Sequence, residues 1–174
     1  MELAGKTIFI LVETIYNDLE FWYPYYRLKE ADAEVVVVGP LGGVVYTGKA
    51  GLPAKADVGM ADVTSDDCHG LIIPGGYAPD HMRRHPDMVR LVRECVTAGK
   101  VVAAICHAGW MLASADVLQG RTVTSFFAIR DDVVHAGANF VDREVVVDDN
   151  LITSRMPDDL PAFMKAIIAA LGTR

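Results

Sequence analysis

Four short apolar runs constrain this chain more than any other feature: Thr7 to Val12 (TIFILV), Glu34 to Val38 (EVVVV), Gly70 to Ile73 (GLII) and Val101 to Ile105 (VVAAI). None alternates polar with apolar residues, as a strand with one wet face does, so each predicts a strand covered on both sides. Between them lie helical patterns. Asp18 to Ala31 carries Leu19, Trp22, Tyr23, Tyr26 and Ala31 at helical intervals. Pro86 to Gly99 has an early proline, one face of Met88, Leu91, Val92 and Cys95, and a glycine stop. Trp110 to Leu118 and Asp159 to Leu171 read as further helices. Thr122 to Ser125, Glu144 to Val147 and Leu151 to Ser154 read as later strands, the last two joined as a hairpin at Asp148-Asp149-Asn150. The glycine-rich stretch Leu41 to Ala61 predicts a small excursion of short strands around Gly48 and Gly51. This βαβ alternation predicts an α/β fold, a mostly parallel sheet with helices on both faces and right-handed crossovers. One domain is expected over residues 1–174, since no repeat, linker or low-complexity segment divides the chain.

Charge and composition remove several function classes. Sixteen Lys and Arg against 23 Asp and Glu leave a net charge of −7, and no basic block offers nucleic acid an electrostatic footing. Charged or turn residues interrupt every apolar run before it reaches membrane-spanning length, and Thr7 to Val12 is too short for a signal-peptide core. The expected protein is soluble and cytoplasmic. Its three cysteines, Cys68, Cys95 and Cys106, are odd in number and widely spaced, which argues against a disulfide framework and against zinc. Cys68-His69 and Cys106-His107 are adjacent pairs whose side chains do not converge on one ion in a regular element, so no metal is expected.

In parallel α/β sheets, chemistry gathers in the loops leaving the carboxyl ends of the strands. Cys106 falls there, between a buried strand and a helix start, with Ala103, Ala104, Ala108 and Gly109 small enough for a tight elbow. The free N–H groups of the helix favour thiolate; the competing reading is a small buried hydrophobe. Asn17-Asp18-Leu19-Glu20 has the form of a capping box. It also starts a helix at the same end of the sheet, so Glu20 can meet the sulfur, share one proton with it and carry a raised pKa. Gly75 and Gly76 can offer backbone N–H groups to an oxyanion, or form an ordinary turn. His107 is a candidate proton carrier whose neighbouring position points it away from the Cys106 sulfur. His69, His81, His85 and His135 read as surface residues, Cys68 and Cys95 as structural, and Tyr23-Pro24-Tyr25-Tyr26 as helix packing.

These residues, in this order, carry a resemblance. Ala103 to Gly109 (AAICHAG), Gly120-Arg121-Thr122, Thr124-Ser125, Glu20 with Pro24 to Glu30, Pro74 to Pro79, Ala136 to Asn139, Val141 to Arg155, and Pro157 to Pro161 together resemble the ThiJ/PfpI superfamily, also written DJ-one/PfpI. Within it, the chain is most similar to the PfpI branch of intracellular protease I and YhbO-type proteins. The resemblance implies a flavodoxin-like three-layer sandwich with a nucleophile elbow. It implies Cys106 as nucleophile, Glu20 as its hydrogen-bonded carboxyl, His107 as the neighbouring histidine, and the Gly75-Gly76 loop as an oxyanion site. It also implies that Asp80, where the family usually has Glu, reaches His107 from a neighbouring subunit of a homo-oligomer. Asn17 stands where a second Glu is common and Phe126 where Tyr is common, so the pocket loses a carboxyl and a phenol.

Three functions are compatible with this set. The leading expectation is a cofactor-independent enzyme of the glyoxalase III or deglycase type, in which Cys106 adds to a small-molecule 2-oxoaldehyde or its adduct. The second is a cysteine peptidase or amidase acting on peptides, with His107 protonating the leaving amine. The third is a non-enzymatic redox or stress sensor oxidised at Cys106.

Overall fold

The computed structural model describes residues 2–173. In chain order it consists of β1 (Thr7–Leu11), α1 (Asp18–Glu30), β2 (Glu34–Gly39), β3 (Val45–Thr47), β4 (Pro53–Lys55), β5 (Val58–Gly59), β6 (Gly70–Ile73), α2 (Ala78–Met82), α3 (Pro86–Thr97) and β7 (Val101–Ile105). It continues with α4 (Gly109–Ser114), β8 (Thr122–Val123), α5 (Arg130–His135), β9 (Asn139–Phe140), β10 (Val145–Asp148), β11 (Leu151–Ser154) and α6 (Leu160–Thr173). Met1 and Arg174, the ends of the expected 1–174 domain, lie outside the described residues.

Seven strands form the central sheet in the order β10-β11-β7-β6-β1-β2-β5. Every pairing is parallel except the β10–β11 hairpin. The unbroken apolar runs explain the centre: β6 and β7 are buried at every residue, which requires cover on both faces. One helical layer packs α1 with α6, and the other packs α3 with α4, to which α2 and α5 are attached. The α/β sandwich expected from the alternation is the fold found. Among the described residues, no helix is long and apolar enough to cross a membrane.

Local departures have local causes. The expected helix Trp110 to Leu118 stops at Ser114, because Asp116 turns left-handed at φ +57° and Val117 N–H closes onto Leu112 C=O at 3.3 Å. Thr122 to Ser125 does not join the main sheet: the Thr124 N–H donates to Thr153 Oγ1 at 3.0 Å, and only Thr122–Val123 pairs, in parallel, with β9. The glycine-rich excursion forms the β3–β4 hairpin and then β5, which returns to the edge of the main sheet beside β2. Asp18, 6% exposed, pins its turn, accepting from the N–H groups of Ala50 at 2.7 Å and Leu52 at 3.0 Å. A β-carbon on Gly48 would lie 2.4 Å from that carboxylate. The hairpin turn is thereby fixed above the carboxyl end of β1.

Candidate active site

β1, β6 and β7 are neighbours in the sheet, so the loops leaving their carboxyl ends meet. After β7 the chain reverses within one residue. Cys106 has φ +62°, and Cys106–Ala108 form a single 3-10 turn leading into α4. For an L-residue that backbone costs about 1–2 kcal/mol and persists only where the surroundings hold it. Here Ile105 is paired in the sheet with Ser154, and the Cys106 carbonyl accepts from Phe126 N–H at 3.2 Å. A β-carbon on Gly109 would press on Ile129 and Val133 at 3.0 and 3.1 Å, so the small flanks are a packing requirement. Ile15, at φ +63°, is the second strained residue of the cleft. A β-branched side chain rarely adopts that conformation; it is held because the Ile15 carbonyl accepts from Tyr77 and Ala78 N–H at 2.9 and 3.2 Å.

Glu20 reaches the sulfur by declining half of its capping box. Asn17 caps α1, its Oδ1 accepting from Leu19 and Glu20 N–H at 3.1 and 3.3 Å. The reciprocal bond from Glu20 to the Asn17 N–H is absent, because that N–H donates to Gly75 C=O at 3.1 Å. The Glu20 carboxyl is free to turn inward, where Oε2 accepts from Gly75 N–H at 2.8 Å. Gly75 is wedged between the two reactive groups: a β-carbon there would sit 2.5 Å from Glu20 Oε2 and 2.7 Å from Cys106 Cβ. Glu20 is fully buried. Burial raises its pKa from 4.5 to about 7, against the Gly75 N–H, the Cys106 thiol and Lys49, which all favour the charge. Its Oε1 has no well-formed hydrogen bond, so the approach to the thiol is loose.

Two sequence expectations need correction. The helix start was expected to favour thiolate at Cys106. Burial, followed by the Glu20 charge, instead pushes the thiol up to about 12, although the N–H groups of His107 and Gly76 act in the opposite direction. One 3-10 turn before a six-residue helix supplies too little dipole to offset desolvation. Burial and the nearby Glu20 charge thus both oppose a resting thiolate, and the two groups titrate as a pair. His107 was expected to point away from the sulfur. Its Nδ1 lies 3.2 Å from Cys106 Sγ, because the left-handed backbone at Cys106 followed by a tight turn swings successive side chains to one side. Burial lowers the His107 pKa, as does Lys49, which favours the neutral ring, the form able to accept a proton. It stacks on Phe126 at 4.9 Å and meets the edge of Trp110 at 5.1 Å.

A cleft of about 380 Å³ opens onto these groups, lined by Ile15, Asn17, Lys49, Gly76, Tyr77, Cys106, His107, Phe126, Met156 and Pro157. Gly76, at φ +74°, packs against the Ile15–Asn17 backbone, and a β-carbon would come within 2.5 Å of it. The structure thus brings together Cys106, His107, Glu20, Gly75 and Gly76. Asp80 is not among them in this chain: it sits on α2, paired with Arg84. Among the described residues no carboxylate bonds to the other ring nitrogen of His107, and no group of three or more His, Cys, Asp or Glu could hold a metal ion. Sequence reasoning missed Lys49, Tyr77 and Ile15. Lys49 had a faint signal in Gly48-Lys49-Ala50-Gly51, a turn between two short strands.

The DJ-1/PfpI family description matches residues 6–170. Over 164 residues the chain is 43% identical to the deglycase PfpI of Pyrococcus furiosus, an alignment covering 94% of this chain and 98% of that one. Over 170 residues it is 41% identical to protein/nucleic acid deglycase 2 of Escherichia coli K12, covering 97% and 99%. Among solved structures it superposes, with a TM-score of 0.95 and 44% identity, on a two-domain protein from Anabaena variabilis containing DJ-1/ThiJ/PfpI-like and ferritin-like domains. That match covers 97% of this chain and 48% of the two-domain protein.

Proposed function

The chain belongs to the DJ-1/PfpI family, and from that premise we propose that it is a cysteine enzyme acting on 2-oxoaldehydes and on the adducts they form with proteins, of the deglycase or glyoxalase III type. One observation carries the reading: a thiol held at the mouth of a cleft between a carboxyl poised near neutrality and an imidazole 3.2 Å away. The Cys106 thiol adds to the aldehyde carbon as its proton passes to the Glu20 carboxylate, and the new oxyanion is met by N–H groups of Gly76 and His107. His107 then moves a proton from the former aldehyde carbon to its neighbour, while Glu20 returns its proton to that neighbour's oxygen, giving the thioester of a 2-hydroxy acid. Water releases a 2-hydroxy acid and restores the thiol. Oxidation of one carbon balances reduction of the other, so the chemistry draws on no external electron carrier. With a net charge of −7, adducts on proteins suit this surface better than adducts on a polyphosphate.

We further propose, from the family resemblance, a cytoplasmic homo-oligomer in which Asp80 of a neighbouring copy orients His107. Replacing Cys106 by Ser tests the main reading: production of lactate from methylglyoxal is expected to fall at least a hundredfold. Retention of full turnover would end it.

A second reading, peptidase or amidase, is favoured by the Cys106–His107 contact, a geometry suited to protonating a leaving amine. Peptide-amide cleavage lost in both His107→Ala and Asp80→Ala variants supports it, and no cleavage of any peptide dismisses it.

A further inference from the structure

Cys68 and Cys95 are 27 positions apart in sequence, yet their sulfurs lie 3.9 Å from each other. Both are free and buried, at 1% and 0% exposure. Cys95 projects from α3, while Cys68 closes the 3-10 turn Ser65–Asp67 just before β6. We propose that this pair is a second thiol site, a dithiol that a peroxide closes to an internal disulfide, separate from Cys106.

The surroundings fit that chemistry. Lys100 favours the charged form of either thiol, and the two sulfurs titrate as a pair, with Cys68 the nearer to the exposed turn. The cover over Cys68 is thin. None of Ser65, Asp66 and Asp67 is buried, and a single exposed turn opens through local fluctuation far more readily than a core strand. The sulfurs are about 2 Å short of bonding distance, a gap that side-chain rotation and this turn can close. The Cys68 thiolate attacks the peroxide oxygen, forming a sulfenic acid as hydroxide leaves. The Cys95 sulfur then attacks that sulfenic sulfur and expels a second hydroxide. With the two thiol protons the balance is two thiols and one hydrogen peroxide giving one disulfide and two waters.

The site lies at the amino end of β6, whereas Gly75 follows its carboxyl end, roughly 16 Å further along the strand. Closing the loop therefore constrains the unfolded chain without touching the cleft.

The test treats the full wild-type chain and the Cys106→Ser variant with excess hydrogen peroxide and maps peptides without reduction. Cys68 and Cys95 are expected in one linked pair, two hydrogens lighter, in both proteins, with dithiothreitol separating them. The melting temperature is expected to rise by roughly 5–15 °C. Cys68→Ala and Cys95→Ala should each abolish that rise, and unoxidised Cys68→Ala should retain methylglyoxal turnover. Two free thiols after treatment, Cys68 driven to sulfinic acid with no linked peptide, or a bridge joining Cys106 or two chains would each overturn the proposal.

Discussion

Replacing Glu20 by Gln should change how stability depends on pH, by an amount the burial of Glu20 sets. The folded chain raises this carboxyl from 4.5 to about 7. Between those values the folded state holds a proton that the unfolded state has released. Its contribution is therefore fully present below pH 4.5 and is lost as pH rises through 7. Because Glu20 is 0% exposed, solvent screening does not reduce the effect. Between pH 5 and pH 8 the wild type should lose about 2–3 kcal/mol from this residue alone. Gln has the same shape and cannot ionise, so the variant should lack that loss while keeping the contribution of every other group. Urea denaturation at both pH values gives the comparison. With a slope of about 2 kcal/mol/M, the wild-type midpoint should fall by roughly 1 M more than that of the variant. Equal falls in the two proteins would refute the placement of Glu20 as a buried, near-neutral carboxyl.

Two further outcomes follow from the geometry. Gly75→Ala should reduce methylglyoxal turnover by about a hundredfold, since its β-carbon would displace either Glu20 Oε2 or Cys106. Wild-type kcat/KM in this variant would show that the spacing is not tight. Lys49 favours the Glu20 charge, so Lys49→Gln should move the acid limb of the pH–rate profile to higher pH. An unmoved limb would remove Lys49 from the site's electrostatics.

Unbroken apolar runs made the centre of the sheet legible, because strands such as β6 and β7 are covered on both faces and exclude polar residues. The elbow was legible for a related reason: only small residues fit around Cys106, and the sequence shows them. The direction of His107 was not, since it depends on the sign of one dihedral at Cys106, which no residue pattern encodes for a cysteine. Lys49 was hidden because its position comes from Asp18 bonding to Ala50 and Leu52, residues 32 and 34 positions away. The contact between Cys68 and Cys95 was invisible in the same way, arising from how α3 lies beside the turn before β6. α2 and α5 are too short to show a periodicity at all.

The upward push on the Cys106 thiol also bears on selectivity among electrophiles. With its pKa pushed above the ordinary value by burial and by the Glu20 charge, the Cys106 thiol holds less preformed thiolate near neutral pH than a free cysteine. Alkylating agents and peroxides that depend on preformed thiolate meet a resting sulfur quieter than that of the unfolded chain. A compound reacts efficiently only if it sits in the cleft long enough for Glu20 to take the proton during attack.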